Sequence, residues 1–324
     1  MHQKTALLRY GGLVRKRGDQ IRTLLRGLET MRKPSVYIVG LPRSGTTWIA
    51  SIVATARSVK YFHEPFNCSN VAGAARFCMK YLVNADDDPD FARHCRKAFA
   101  GEILTDSMRT MLPPFYRQYP KLPGRVIVKD VCTCLAVECV QSLLNPLTVI
   151  VVRHPCAVAA SWHRLGYNVD HHLRILRERN GLYDGVLEPY RDILNRATGF
   201  WQKIGALWGA VYCILYHQRK AHANWVVVNH EEFCRKPIDA FRNLFRRLDI
   251  DWTRTTGELI RISSQTDRDE PYLFYRISEQ EPEKWKTRMT VDQMSQVLDF
   301  VKPFGILSNA DSSDGKTGQE RNFE

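Results

Sequence analysis

A chain of 324 residues is long enough for one large α/β domain or two small ones, and its composition is that of a globular protein. The formal net charge of +13 favours anionic ligands, or an anionic polymer or surface, as partners. No apolar run reaches the roughly 18 residues that would indicate a transmembrane helix, and residues 1–9 lack the apolar core of a signal peptide. We therefore expect a cytoplasmic protein whose nine cysteines are free thiols.

The first predicted element is a basic helical segment over residues 1–33. Apolar residues recur there among lysines and arginines, and Gly11 with Gly12 interrupts the pattern. We expect this segment to pack on the domain that follows it. The alternative is contact with a membrane surface, which a basic amphipathic helix can make.

Five short β-like runs follow, with helix-compatible segments between them. The runs are Val36–Val39, Val59–Phe62, Arg125–Lys129, Thr148–Val152 and Trp225–Asn229, and the helical segments are Thr46–Arg57, Leu135–Leu144, Cys156–Leu165 and Thr198–Ala221. Near-continuous apolar runs are typical of strands buried on both faces of a parallel sheet. The alternation predicts a P-loop-like, doubly wound α/β fold, in which about five parallel strands are flanked by helices and ligands bind at the carboxyl ends of the strands.

The predicted domain covers residues 34–307. Residues 68–122 and 166–197 lack strand signals and are predicted to be helical insertions, which can form an acceptor pocket over the carboxyl edge of the sheet. Residues 308–324 are polar and are predicted to be a disordered tail.

The loop after the first predicted strand has the layout of an anion site. Gly40 and Gly45 have the spacing of a P-loop, but Thr46 stands where a nucleoside triphosphatase carries lysine. Arg43 is the only cation in the loop. Backbone N–H groups in the stretch Ser44–Thr47, where a helix opens, would face a phosphate-like group. The loop therefore predicts an anion that needs no lysine–magnesium pair; an ordinary strand–turn–helix is the alternative.

A second candidate anion site follows the fourth predicted strand. Arg153 lies at the carboxyl end of that strand, and Pro155 stands at the favoured first position of the next helix. Ser161 lies within that helix. Two groups able to contact one phosphate, at the same edge of the sheet as the first loop, predict a ligand with two separated phosphate-like groups.

These two motifs resemble those of the sulfotransferases that use 3′-phosphoadenosine 5′-phosphosulfate (PAPS). The stretch Pro42-Arg43-Ser44-Gly45-Thr46-Thr47-Trp48 matches the 5′-phosphosulfate loop of that family, and Arg153 with Ser161 matches its 3′-phosphate motif. The resemblance runs from Pro34 to Gly305 and includes Trp225–Phe233, which is similar to the family's fifth strand and acidic turn. It implies transfer of the sulfuryl group of PAPS to an acceptor hydroxyl, with no metal required.

The resemblance also implies a role for each matching residue. The implied donor-binding residues are Arg43, Ser44, Gly45, Thr46, Thr47, Trp48, Arg153 and Ser161. Arg43 would stabilise the charge that grows on the leaving 5′-phosphate. Trp48 would stack on adenine, or else be a core aromatic residue of its helix.

The implied catalytic residues are Glu64, Arg43 and Lys129. Glu64 has the spacing from Arg43 at which tyrosylprotein sulfotransferases place their catalytic glutamate, which implies a general base. His63 is its competitor, but an extended segment should turn it to the opposite side. Lys129 resembles the family lysine that contacts the transferring group, and Asp130 could be a second base or an orienting partner. Capping or simple ion pairing is the structural alternative for Glu64, Lys129 and Asp130.

The acceptor is predicted from the same loop. Arg43 stands where the soluble small-molecule enzymes carry lysine, and in this the loop is similar to the carbohydrate and tyrosylprotein branches. With the spacing of Glu64, this favours a carbohydrate or tyrosine acceptor, and of these we expect a hydroxyl on a carbohydrate or glycoconjugate. The Gly-rich basic motif that closes over the 3′-phosphate in the soluble branch is not evident, and Glu283-Lys284-Trp285-Lys286 is its nearest remnant.

Two other functions compete with this one. A P-loop kinase or nucleoside triphosphatase would need lysine at position 46 and an aspartate for magnesium, for which Asp130 is the only candidate. A non-catalytic anion-binding module fits the basic charge, but the interleaved aromatic and basic clusters of a nucleic-acid surface are lacking, so no nucleic-acid partner is expected.

No metal site is expected either, because Cys132-x-Cys134 has no second cluster at zinc spacing. The sequence does not indicate an oligomeric state.

Overall fold

The structure is a computed structural model, and it describes residues 33–306 apart from 57–58, 104–123, 179, 184 and 266–279. The predicted tail over 308–324 lies outside the described residues, and so does the predicted basic segment apart from Lys33. Residues 104–122 of the first predicted insertion lie outside them as well. The domain boundaries therefore stay predictions.

The centre of the fold is a five-stranded sheet with the strand order β2-β3-β1-β4-β5, and every pairing in it is parallel. The strands are β1 (Val36–Val39), β2 (Val59–His63), β3 (Arg125–Asp130), β4 (Leu147–Val152) and β5 (Val226–Asn229). The α/β prediction is confirmed, and each predicted strand end lies within one residue of the observed end. All four residues of β1 are fully buried, as expected for a central parallel strand covered on both faces.

Helices cover both faces of the sheet. They are α1 (Thr46–Val53), α2 (Pro89–Ala100), α3 (Val137–Leu144), α4 (Pro155–Arg164), α5 (Val169–Glu178), α6 (Asn180–Tyr183), α7 (Arg191–Arg196), α8 (Phe200–Arg219), α9 (His230–Arg235), α10 (Pro237–Arg247), α11 (Arg254–Gln265) and α12 (Val291–Val301). Short 3-10 turns lie at Ala74–Phe77, Ala85–Asp87, Glu188–Tyr190, Lys284–Thr287 and Lys302–Phe304. Within the described part of the chain, no helix is both long and apolar enough to cross a membrane.

The helix predicted from Thr46 ends at Val53, earlier than expected. The amide and the hydroxyl of Thr55 both hydrogen-bond the Ile52 carbonyl, at 3.0 and 2.7 Å. This tighter turn replaces the continuing α-helical pattern.

Alternate residues of β1 belong to two separate apolar cores. Tyr37 and Val39 pack into one core, which includes much of α8, while Val36 and Ile38 pack into the other, with α1 and α10. This two-sided burial is what the near-continuous apolar runs predicted.

The strand order places a topological switch point at β1, which lies between β3 and β4. Val39, the last residue of β1, is level with Asp130 of β3 and Ile150 of β4. The loop after β1 therefore opens beside the ends of both neighbouring strands, where ligands bind in sheets of this kind.

Candidate functional site

A cavity of about 660 Å³ lies over the carboxyl ends of the strands. Each of the five strand ends contributes to its lining: Arg43 follows β1, Glu64 follows β2, Lys129 lies in β3, Arg153 follows β4 and His230 follows β5. Nine of the predicted site residues line it: Arg43, Gly45, Thr46, Thr47, Trp48, Glu64, Lys129, Arg153 and Ser161. The fold thus brings both predicted anion motifs and the predicted catalytic residues into one space.

Ser44 is the predicted binding residue that does not line the cavity. Its side chain is fully buried, and its hydroxyl lies 2.9 Å from the Tyr212 hydroxyl. Its backbone N–H donates to the Leu41 carbonyl at 3.1 Å and so closes the turn of the loop. Ser44 therefore holds the loop from beneath, whereas the sequence placed it among the ligand contacts.

Gly45 is required by the shape of the loop. Its φ of 87° lies in the left-handed region, and a Cβ there would come within 2.1 Å of the His230 ring. Burial and the nearby Arg153 guanidinium lower the pKa of His230 well below its ordinary value, so the ring is neutral at pH 7. The neutral ring packs against the glycine and fixes the start of α1 at the cavity wall.

Strained backbone marks the same cavity. In the described part of the chain, the residues other than glycine with positive φ are Arg43 (75°), Glu64 (48°), Met79 (53°), Asn145 (44°) and Asp249 (52°). Arg43, Glu64 and Met79 all line the cavity. Left-handed backbone costs an L-residue about 1–2 kcal/mol, and such strain concentrates at functional sites. Arg43 and Glu64, two of the three residues given catalytic roles by the sequence, are thus held in unfavourable conformations by their surroundings.

The two anion motifs are joined directly. The Arg43 Nε donates to the Ser161 Oγ at 3.1 Å, and the Arg153 Nη1 donates to the Arg43 carbonyl at 3.1 Å. The Nε of Arg153 is buried and has no hydrogen-bond partner among the described residues. A buried donor of this kind is costly unless a ligand accepts from it, which fits an anion at this point.

An acidic residue that the sequence did not reveal faces the same arginine. The Glu281 carboxylate lies 3.4 Å from the Arg153 Nη2 and 3.2 Å from the Lys284 Nζ. Both Glu281 and Lys284 line the cavity. Glu281 comes from a distant part of the chain, so no local pattern could have placed it beside Arg153.

Glu64 and Lys129 form an ion pair on the opposite side of the site. The Lys129 Nζ contacts the Glu64 Oε1, and the Asn67 Nδ2 donates to the Glu64 Oε2 at 2.6 Å. Burial alone would raise the pKa of Glu64, but Lys129, His63 and these hydrogen bonds outweigh it and lower the pKa to about 2. Glu64 is therefore ionised, as a general base must be. Asn67, three residues after Glu64, is a site residue that the sequence did not single out.

His63 does not face away from Glu64, contrary to the prediction from strand alternation. Its Nε2 lies 3.8 Å from the Glu64 Oε1, and both residues line the cavity. The left-handed backbone of Glu64 ends the extended conformation on which the prediction depended. Burial and Lys129 lower the pKa of His63 to about 3, and its Nδ1 lies 2.8 Å from the Tyr61 hydroxyl.

Asp130 braces the site and does not line it. Its carboxylate is fully buried and accepts from the backbone N–H groups of Phe66, at 2.8 Å, and Cys132, at 2.7 Å. Burial and Glu64 raise the pKa of Asp130 to about 7, against the effect of these N–H donors. The side chain thus joins the segment after β2 to the segment after β3. Of the two roles considered for Asp130, a second base or an orienting partner, this contact pattern fits the orienting partner.

Trp48 has the features of a core aromatic residue. Its side chain is 7% exposed, its Nε1 donates to the Ser263 hydroxyl at 3.0 Å, and its ring meets Phe241 edge-on at a centroid distance of 5.3 Å. It nevertheless forms part of the cavity wall. The ring therefore borders the site while packing in the second core.

Three solved structures are similar to this chain over most of its length. The sulfotransferase domain from the curacin biosynthetic pathway is 13% identical, with a TM-score of 0.46 over 85% of this chain and 98% of that one. Mouse sulfotransferase SULT7A1 complexed with PAP is also 13% identical, with a TM-score of 0.47 over 87% and 90% of the two chains. Sulfotransferase STF9 from Mycobacterium avium is 12% identical, with a TM-score of 0.41 over 92% and 81%. No curated protein is similar enough in sequence to count as a relative.

A family model gives the assignment. The model described as the sulfotransferase family matches residues 34–254, which is more than half of the chain and contains both anion motifs, Glu64 and Lys129. The recognition made from the two motifs is confirmed at the level of the family, and the chain belongs to the sulfotransferase family.

Proposed function

We propose that this sulfotransferase moves the sulfuryl group of PAPS to a hydroxyl of a carbohydrate or glycoconjugate, with Glu64 as the general base. The observation that carries the proposal is the single cavity in which the joined anion motifs of Arg43 and Arg153 lie together with the Glu64–Lys129 pair. The anion motifs suit a donor with two separated anionic groups. The Glu64–Lys129 pair suits an acceptor hydroxyl that must lose a proton.

The donor half has one anion subsite in each motif. Backbone N–H groups at the start of α1, the hydroxyls of Thr46 and Thr47, and the Arg43 guanidinium would hold the 5′-phosphosulfate. Arg153, whose buried Nε has no hydrogen-bond partner in the described part of the chain, and Ser161 would hold the 3′-phosphate. A phosphate would also compete with Glu281 for the Arg153 guanidinium.

In the transfer step, the acceptor oxygen forms a bond to sulfur while the bond from sulfur to the 5′-phosphate oxygen breaks. The hydroxyl proton passes to Glu64, and adenosine 3′,5′-bisphosphate (PAP) leaves with its charge stabilised by Arg43. Sulfuryl transfer resembles phosphoryl transfer in that the protein mainly positions and neutralises. Lys129 pairs with Glu64; a sulfuryl oxygen would draw it away and leave the carboxylate able to accept a proton.

The acceptor side of the cavity is rich in groups that bind hydroxyls. Asn67, Ser69 and Asn70 line it on the segment that follows Glu64, and the Asn70 Nδ2 donates to the Glu64 carbonyl at 3.3 Å. Amide and hydroxyl side chains both donate and accept, which suits an acceptor with several neighbouring hydroxyls. This favours a sugar over an acceptor with one isolated hydroxyl.

The proposal is tested by following sulfur-labelled PAPS in the presence of EDTA with three acceptor classes: neutral oligosaccharides, tyrosine-containing peptides and simple phenols. We expect label on the oligosaccharides and release of one PAP for each sulfate transferred. Label only on peptides or phenols would overturn the acceptor class, and no transfer with any acceptor would overturn the proposed reaction.

A further inference from the structure

Helix α8 passes beneath both anion motifs without reaching the cavity. Trp208 and Tyr212 lie four residues apart and therefore on the same face of the helix. Their ring centroids are 4.6 Å apart, and both side chains are at most 1% exposed. Neither lines the cavity, yet both bind atoms of the segments that build it.

Tyr212 connects the loop after β1 to the end of β4. Its hydroxyl lies 2.8 Å from the Val151 carbonyl, 2.9 Å from the Ser44 Oγ and 3.4 Å from the Leu41 N. A carbonyl can only accept, so the single phenolic proton goes to Val151. The Ser44 hydroxyl must then donate to the Tyr212 oxygen, and the Ser44 contact fixes the underside of the 5′-phosphosulfate loop.

Trp208 holds the second motif from the same helix face. Its indole Nε1 donates to the Arg153 carbonyl at 3.0 Å. Arg153 and Val151 are alternate residues at the end of β4, so the two aromatic side chains bind alternate carbonyls of one strand end. One turn of helix thus determines where the 3′-phosphate arginine lies relative to the 5′-phosphosulfate loop.

We propose that Trp208 and Tyr212 are positioning residues that set the separation of the two anion subsites and so select nucleotides that carry both a 5′ and a 3′ anionic group. The inference rests on the donor site of the proposed function. A ligand with one phosphate can adjust to its own subsite. A nucleotide with two phosphates must fit both subsites at once, and it is too rigid to follow a change in their separation. Its affinity should therefore depend most on the α8 contacts.

The primary test is Tyr212→Phe, which removes one oxygen and keeps the ring. The affinities to be measured by calorimetry are those for PAP, adenosine 5′-monophosphate and adenosine 3′-monophosphate. We expect the affinity for PAP to fall by about tenfold, because the buried hydrogen bonds that hold the 5′-phosphosulfate loop on the end of β4 are lost, while each monophosphate changes by less than about threefold. Ser44→Ala removes the Ser44–Tyr212 hydrogen bond from the loop side. The double variant should bind PAP about as tightly as the single variant with the lower affinity.

The matched control is Tyr37→Phe. Tyr37 is also fully buried, and its hydroxyl contacts the Thr133 Oγ1 at 2.5 Å, away from both anion motifs. We expect Tyr37→Phe to lower the melting temperature but to leave the preference for PAP over the monophosphates unchanged. Equal losses for all three nucleotides in Tyr212→Phe, or an unchanged preference in both Tyr212→Phe and Ser44→Ala, would overturn the positioning role. A wild-type protein with no preference for PAP would instead overturn the proposed function itself.

Discussion

The Nε of Arg43 donates to the Oγ of Ser161 over 3.1 Å, although the two residues are 118 positions apart in the sequence. This bond joins the loop after β1 to α4, so the cation predicted for the 5′-phosphosulfate lies against the hydroxyl predicted for the 3′-phosphate. The two predicted anion motifs are therefore held in one fixed arrangement.

We expect Arg43→Ala to lower the transfer rate by about 10²–10³-fold, because it removes a donor that stabilises charge on the leaving group. The affinity for PAP should fall as well. The control is Arg174→Ala, since Arg174 is 66% exposed and lies outside the cavity. A normal turnover number in Arg43→Ala would remove this residue from the mechanism.

Glu64→Gln should keep the affinity for PAP and lose about 10²–10⁴-fold in rate, because the amide cannot accept the proton. The loss should be smaller for an acceptor with a more acidic hydroxyl. Turnover is compared in Glu64→Gln and His63→Gln with two acceptors of different hydroxyl pKa. If His63→Gln loses the rate and Glu64→Gln does not, the base is His63.

Lys129→Met should raise the pKa of Glu64, because burial remains while the attraction of the ammonium group is lost. Glu64 acts only when ionised, so activity falls as pH drops through its pKa. The acid limb of kcat/KM should therefore move to higher pH from near the wild-type value of about 2. The measurement is a pH profile of residual activity. An acid limb that stays in place in the variant would show that Lys129 does not act on the base.

Gly45→Ala should destabilise the protein by about 2–5 kcal/mol, from left-handed strain together with the clash against His230. Gly73→Ala is the matched control, because Gly73 has a similar φ of 80° but nothing within 4 Å of an added Cβ. Gly73→Ala should lower the free energy of unfolding by only about 1–2 kcal/mol. Denaturant unfolding measures both, and equal costs would mean that the His230 contact does not constrain the loop.

Glu281→Gln should strengthen PAP binding by up to about tenfold, because the carboxylate neutralises Arg153 before the ligand arrives. Glu283→Gln is the same change two residues away, where the side chain is 55% exposed, and it should have little effect. Weaker PAP binding in Glu281→Gln would assign Glu281 to holding the nucleotide, against the competition inferred here.

The fold could be predicted because its signals are local. The apolar run Val36–Val39 becomes the buried central strand, and the glycine spacing after it becomes a tight loop at the cavity wall. Parallel strands have their carboxyl ends at the same edge of the sheet, so the sequence also indicated that Arg43, Lys129 and Arg153 meet at one edge.

The rest depended on contacts that local patterns do not encode. The prediction that His63 and Glu64 point to opposite sides assumed an extended backbone. The left-handed conformation of Glu64 breaks that assumption, so both side chains line the cavity. Which side chain of the loop turns inward is decided by packing, and Tyr212 on α8 draws Ser44 into the core. Glu281 reaches Arg153 across 128 positions of sequence.

The most direct test of the account is the fate of the labelled sulfate of PAPS when the wild-type protein and Glu64→Gln are incubated with a neutral oligosaccharide in EDTA. We predict that the wild-type protein moves the label to the oligosaccharide and releases an equal amount of PAP, while Glu64→Gln binds PAP as tightly and transfers almost nothing. No transfer by the wild-type protein, or equal transfer by both proteins, would contradict the account.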